Sequence, residues 1–260
     1  MFRSLATAAS GMEAQQTKLD VTANNIANVS TNGFKKGRAD FADLMYQQVR
    51  AAGSPTGNGA AAPSSTEIGL GTRLVATSRQ NSQGELHQTG NTMDVAIQGK
   101  GYLPVTMPDG TTAYTRNGAL QLSAEGKLVT ADGFAVGEIT VPPEAQNVSI
   151  SATGQVSATV AGEAQPVELG TLQLASFANP AGLAAQGSTL FRETAASGSA
   201  VLGNPGEGGS GTIQQGMVEV SNVNVVEEMI DLIAGQRAYE VNSRVVKAAD
   251  EMLGETAQLR

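Results

Sequence analysis

The stretch Ala23-Asn24-Asn25-Ile26-Ala27-Asn28-Val29-Ser30-Thr31-Asn32-Gly33-Phe34-Lys35-Lys36 is where the chain changes character. Upstream of it, Leu5, Met12, Leu19 and Ile26 recur every seven positions, with Ala8 or Ala9 and Ala23 in neighbouring rows. That spacing predicts a helix from residue 1 to about 32 with a narrow apolar stripe of coiled-coil type, not the broad face of a globular helix. Asn32-Gly33 supplies a stop, because Gly adopts the left-handed conformation just past a helix end at little cost.

The far end of the chain mirrors this. Val226, Ile230, Ile233, Val241, Val245, Ala248 and Met252 are spaced by threes and fours, with Arg237 on the same row. Val245, Met252 and Leu259 are seven apart, and the four-residue steps around Arg237 act as stutters that relax a supercoil. Ser221-Asn222-Val223-Asn224 reads as the start of this helix, with Glu227 and Glu228 placed for its positive end.

Between the helices the period changes to two. Met93, Val95 and Ile97 alternate, as do Leu120 and Leu122, Phe134 and Val136, Val148 and Ile150, Val156 and Val160, Val167 and Leu169, and Leu172 and Leu174. Turn signals fall at Asp109-Gly110, Asn117-Gly118, Glu125-Gly126 and Asp132-Gly133. Short alternating segments with evenly spaced turns predict antiparallel β structure. The fold class is therefore α+β, with terminal helices around a β-rich middle. Residues 1–33 plus 218–260 are expected to form a discontinuous helical coiled-coil domain. Residues 34–80 plus 198–217 would form an extended connecting domain, and 81–197 a β-rich outer domain. Residues 51–65 and the Gly-rich stretch 197–216 read as loops or linkers.

Composition excludes several functions. The chain has 260 residues, no Cys, no Trp, one His and a formal charge of −8. Disulfide scaffolds, zinc knuckles and thiol chemistry are ruled out. The acidic balance argues against nucleic acid and against an anionic membrane surface. No apolar run is long enough to span a bilayer, so no membrane insertion is expected. The start resembles a secretory signal in its early Arg3 but lacks the apolar core, so the general secretory route is not expected. Gln98-Gly99-Lys100-Gly101 lacks the Gly-Lys-Ser/Thr ending of a phosphate loop and reads as a strand-end turn. No cofactor or metal site is expected. Two carboxylates can hydrolyse glycosides, and Glu85 with Asp94, or Asp109 with Glu125, are the candidates here. Each sits in a turn or strand-edge context that accounts for it without catalysis, and no enzyme is expected.

Four blocks carry a family resemblance. They are residues 23–36 quoted above; Asp94-Val95-Ala96-Ile97-Gln98-Gly99-Lys100-Gly101-Tyr102; Tyr114-Thr115-Arg116-Asn117-Gly118; and Ser221-Asn222-Val223-Asn224-Val225 with Glu227-Glu228-Met229-Ile230 and Gln236-Arg237-Ala238-Tyr239-Glu240-Val241-Asn242. In this order, over the whole chain, they resemble the bacterial flagellar basal-body rod and hook family. Length and the segment Tyr46–Pro63 are similar to its distal-rod branch; other axial branches, proximal rod or hook type, are the alternative. Departures are the wording of Gly53 to Gly59, Leu103-Pro104 where paired aromatics are commoner, and Ala119-Leu120 in place of Ser-Phe.

The resemblance implies a structural subunit that stacks helically into a rigid tube, the distal rod, transmitting torque from motor to hook in motility. It implies terminal helices as an inner coiled-coil layer and a β domain facing outward. The inner interface would use Leu5, Met12, Leu19, Ile26, Val226, Ile230, Ile233, Val241, Val245 and Met252. The family motif residues would be Asn24, Asn25, Asn28, Gly33, Phe34, Asn222, Asn224, Arg237 and Tyr239. Tyr46, Arg50, Pro55 and Pro63 would mark a loop making axial contacts. Implied partners are further copies of the chain, proximal rod proteins, the hook or its junction, the L-ring and P-ring proteins as a bushing, and the flagellar type III export apparatus. Implied localisation is the basal body, in the rod crossing the periplasm.

From the residues themselves, Asn24, Asn25 and Asn28 either cap the first helix or hydrogen-bond between subunits. Arg237 either snorkels over the stripe, pairs within its helix, or bridges to Glu227, Glu228 or Asp231 of a neighbour. His87 reads as a surface residue.

Overall fold

A computed structural model describes residues 2–55, 63–160 and 165–258. Leu259 of the heptad row and Gly57, Asn58 and Gly59 of the 46–63 segment lie outside them. The fold is α+β: α1 (Phe2–Ala27) at one end, α2 (Val225–Gln258) at the other, and antiparallel strands between. The chain divides into two compact units. One comprises Met1–Ile26, Gly37–Ser78 and Asn224–Arg260; the other Ala27–Lys36 and Arg79–Val223.

In the helical unit α1 has two neighbours. On one side lies a two-stranded ribbon of Gly37–Asp43 and Thr72–Arg79; Ser10 accepts from the Thr72 N–H at 3.4 Å and Ala14 is buried. On the other side α2 runs antiparallel to α1. Asn25 pairs with Glu228, Lys18 with Asp231, Leu19 abuts Gly235, and Gly11 abuts Asn242. The α2 residues turned to α1 are thus Glu228, Gly235, Asn242 and the buried Ala249, small or polar and seven apart. A Cβ on Gly235 would lie 2.9 Å from Leu19 Cδ2, so the small residue is what admits the leucine.

The helix stop differs from the expectation: α1 ends at Ala27, not near Asn32. Asn28 to Ser30 form a turn in which the Asn28 side chain accepts from the Thr31 hydroxyl at 3.2 Å, and such local bonding by Asn competes with helix. Gly33 does take a left-handed φ of 71°, but as the point where the chain presses on the β unit. A Cβ there would lie 2.6 Å from the Asn117 nitrogen.

The β unit is built on a seven-stranded antiparallel sheet, ordered Ala184–Gly187, Leu190–Arg192, Thr112–Thr115, Leu103–Thr106, Ala135–Thr140, Lys127–Thr130, Leu120–Leu122. A three-stranded sheet (Ala145–Ile150, Gln155–Val160, Val167–Thr171) shares its core. Leu103, Leu120, Leu128, Val136, Val156, Leu172 and Leu174 are among its fully enclosed members. Four of the ten aromatics gather in one place: Tyr102, Tyr114, Phe177 and Phe191 meet edge to face, with centroids 4.8–5.8 Å apart.

Three of the four turn signals hold, with left-handed Gly110, Gly126 and Gly133. Asn117-Gly118 does not follow suit, because Gly118 has an ordinary φ and is small for another reason. A Cβ there would run into the Val95 carbonyl oxygen. Gly118→Ala is therefore expected to destabilise the β unit by about 3 kcal/mol, the upper end for overpacking, because backbone must move. Urea unfolding of the variant measures it, with Gly110→Ala, where nothing lies within 4 Å, reporting strain alone. The stretch 197–216 is not a plain linker either. Thr212–Gln215 pairs with Val95–Gln98 and buries Ile213, and Val201–Gly203 pairs with Leu174–Ser176. Ladder bonds come from the backbone, so glycine-rich composition hid these strands.

Candidate functional site: an exposed helix face and a buried ionic joint

The apolar row on α2 faces away from α1. Val226 is 65 % exposed, Ile233 56 % and Val241 58 %, and Ile230, Val245 and Met252 are also exposed. Solvation of so many large apolar side chains along one helix is costly and marks an interaction face. On α1 the row Leu5, Met12, Leu19 and Ile26 is half-buried, and Leu19 contacts α2 of the same chain.

The motif asparagines have distinct jobs. Asn25 is buried within the subunit: its amide donates to the Gly37 carbonyl and to Glu228, both at 3.0 Å, and its oxygen accepts from the Gly37 N–H at 2.8 Å. It thereby ties α1, the first ribbon strand and α2 together. Asn24 is exposed and Asn28 half-buried. Asn224 caps α2, accepting from the Val226 N–H at 3.1 Å. Asn222 donates to the carbonyls of Gln80 and Ser82 and accepts from the Lys36 N–H at 2.7 Å. Phe34 is half-buried and Tyr239 exposed. Arg237 pairs with Glu240 of its own helix at 3.6 Å; Asp231 is engaged by Lys18 at 3.0 Å.

Of the segment expected to make axial contacts, Tyr46, Arg50, Pro55 and Pro63 are all exposed. Gln47–Arg50 pairs with Thr66–Ile68 in a ribbon exposed along both strands, preceded by Met45 at 85 % exposure. Two of the carboxylates weighed as catalysts are held by side chains close in sequence. Asp94 accepts from Thr89 and Asn91, and Asp109 from the Thr111 N–H and hydroxyl, which hold its pKa below the usual carboxylate value. Among the described residues no group of three or more His, Asp or Glu is arranged to hold a metal ion. Among them, too, no helix is long and apolar enough to cross a membrane.

One cluster had no periodic signal. Glu219 is wholly buried, with Lys35 Nζ at 2.5 Å and the Gly84 N–H at 2.9 Å on one oxygen, and Arg116 Nε at 2.8 Å on the other. Lys35 also donates to the Ser82 carbonyl, and Arg116 to the carbonyls of Ile97 and Gly99. Together with Asn222, these bonds knit residues 33–36, 80–84 and 219–222 into one joint within the β unit. The hint was a glutamate flanked by Val218 and Val220.

Burial pushes the Lys35 pKa down from 10.5, with Arg116 adding to that and Glu219 opposing it. The sign follows from linkage. Between that lowered value and 10.5 the unfolded chain holds a proton that the native state has shed, so stability rises with pH. Above 10.0 burial keeps the Tyr102 and Tyr114 phenols protonated while unfolded tyrosines ionise, so stability falls again. Urea midpoints across this range should rise and then fall in the native sequence. Lys35→Met should lose the rise and keep the fall.

Similarity to known proteins agrees with this layout. Residues 5–35 match the family profile described as flagella basal body rod protein, 96–158 that of the flagellar hook protein FlgE/F/G D1 domain, and 214–259 that of the flagellar basal body rod FlgEFG protein C-terminal. The chain is 46 % identical over 260 residues to the flagellar basal-body rod protein FlgG of Buchnera aphidicola subsp. Acyrthosiphon pisum, covering all of both chains. It belongs to the flagellar basal-body rod protein family. Other rod-family relatives are the FlgG proteins of Agrobacterium fabrum, 48 % identical over 96 % of this chain and 97 % of that one, and of Bacillus subtilis, 42 % identical over the full length of both. As a rod-family chain it is a structural, motility-related component of the flagellar basal body. The matched segments contain most of α1 and all three charged members of the joint, Lys35, Arg116 and Glu219.

Proposed function

We propose that this chain is the structural subunit of the flagellar distal rod, polymerising helically into a straight, stiff tube that carries torque from motor to hook. The observation that carries the reading is the exposed apolar row of α2, on the side opposite α1. A single copy buries α1 against α2 yet leaves this second face wet. Contacts between unlike faces of identical subunits that do not close generate a filament. In the tube, α1 and α2 would form the inner coiled-coil layer and residues 81–197 the outer surface, with 34–80 and 198–217 between them. Partners on this reading are sister copies, proximal rod, hook or its junction, the L- and P-ring bushing and the type III export apparatus, with the rod crossing the periplasm. Electron microscopy of the purified full-length chain tests it: tubes of one diameter are expected, whereas a chain that stays monomeric at every concentration would refute it.

The ribbon around Tyr46, Arg50, Pro55 and Pro63 would add an axial contact at a second radius. Deleting 46–63 is expected to leave polymers that bend more readily, seen as a shorter persistence length in micrographs. Equal stiffness would remove the loop from this role.

A further inference from the structure

We propose that the Lys36–Gly37 peptide is a stiff coupling, with Asn25 and Asn222 as its positioning residues; its use, passing a twist of the helices to the β unit, rests on the rod reading above. The chain passes between its two units at four places, after Ile26, Lys36, Ser78 and Val223. At the second of these the boundary falls inside one peptide plane. The Lys36 carbonyl accepts from the Gln80 N–H at 2.9 Å, a bond internal to the β unit. The Gly37 N–H donates to the Asn25 oxygen at 2.8 Å, a bond internal to the helical unit. Carbonyl and N–H belong to the same planar group, so no soft torsion separates the two grips.

The flanking groups are held as well. Asn25 also donates to the Gly37 carbonyl and to Glu228. Asn222 accepts from the Lys36 N–H and donates to the Gln80 carbonyl. Asparagine suits both positions, because one amide offers a donor and an acceptor and can bind backbone as another strand would. Asn25 is 2 % exposed, so its bonds are strengthened by the low local dielectric. The other passages are bracketed in the same manner. The Ser78 hydroxyl donates to Asp40 at 2.8 Å just before its passage, and Gln80 follows. Asn222 precedes the passage after Val223, and Asn224, the cap of α2, follows it. Asn25 precedes the passage after Ile26, and Asn28, bonded to Thr31, follows it. A free swivel at these points would absorb an applied twist inside each subunit; a held plane passes it on.

The chain has no cysteine, so introduced thiols alone carry label. Asp20 in α1 and Glu168 in the β unit are exposed. Nitroxides on full-length Asp20→Cys/Glu168→Cys, diluted into polymers of unlabelled native chain, report the distance within one copy by double electron–electron resonance. A single narrow distribution is expected. Asn25→Ala and Asn222→Ala should each broaden it, while the β unit keeps its melting transition and the helices their circular dichroism. Polymers of either variant alone should bend more readily than native ones. Asn25→Ala should also speed exchange of the Gly37 amide about tenfold, equivalent to about 1.4 kcal/mol for the lost bond. Lys18→Ala breaks the Lys18–Asp231 pair between the same helices and should leave the width unchanged, which separates the coupling from a mere weakening of the helix pair. A native distribution as broad as those of the variants, equal broadening by Lys18→Ala, or variant polymers as stiff as native ones would overturn the coupling and leave the rod reading intact. A native chain that forms no polymer would overturn the rod reading, and the same distances in the monomer would then decide the coupling.

Discussion

Glu219→Ala is expected to cost the β unit about 3–5 kcal/mol of stability, the usual consequence of leaving buried charges uncompensated. The carboxylate lies between two cations that are themselves out of water: Lys35, fully enclosed, and Arg116, nearly so. Without it they repel, and the Gly84 N–H loses its acceptor. The pair sites are not all equal. Lys35→Met leaves Glu219 still neutralised by Arg116, so it should be far milder, and substituting an exposed acid such as Glu168 should stay within about 0.5 kcal/mol. Urea denaturation of the three variants checks the ranking. Equal, small effects from all three would mean that the joint contributes no net stability. Buried ion networks often behave so when every member is replaced together by apolar groups of similar volume. The joint's contribution is then one of geometry, fixing where residues 33–36 and 219–222 leave the β unit.

Ile233→Asp is expected to abolish polymerisation while leaving the monomer folded. At 56 % exposure the isoleucine gains little in the isolated chain, so an aspartate is tolerated there. Covered by a neighbour, the same carboxylate would be buried without a partner, at a cost of several kcal/mol. A penalty of about 3 kcal/mol per contact raises the concentration needed for assembly by more than about 100-fold. Sedimentation of polymer against protein concentration reads this directly, and calorimetry of the β unit serves as the internal control. Leu19→Asp should act differently. Leu19 contacts Gly235 within the subunit, so its loss weakens the α1–α2 pair before any polymer forms.

Both helices and the antiparallel middle were readable because they rest on periodicity, which is local. The start of α2 was readable within Ser221-Asn222-Val223-Asn224, because capping residues act locally, and Asn224 is the one that caps. What escaped depends on distance in the sequence. Gly118 looked like a turn glycine and is instead a point of backbone contact with Val95. Asn25 read as a helix cap or as a hydrogen bond between subunits, and instead joins three elements of one subunit through bonds to Gly37 and Glu228. The strands within 197–216 were hidden because their stability comes from backbone pairing with partners distant in the sequence, Leu202 with Ala175 and Ile213 with Ile97. The ionic joint was hidden for the same reason: its three charged members are at 35, 116 and 219, and beyond the valines flanking Glu219 nothing local distinguishes them from surface charges. The α2 row was legible as a stripe, but only the structure separates it from the polar face, Glu228 to Ala249, that meets α1.

The central claim is that this row is wet in the lone molecule and covered in the assembly. Maleimide labelling of full-length Ile233→Cys, monomer against polymer, measures that directly, with Glu168→Cys on the β unit as reference. The account predicts labelling slowed at least about tenfold in the polymer at 233, equivalent to about 1.4 kcal/mol of protection, with the reference rate unchanged. Equal rates at 233 in the two states would contradict it.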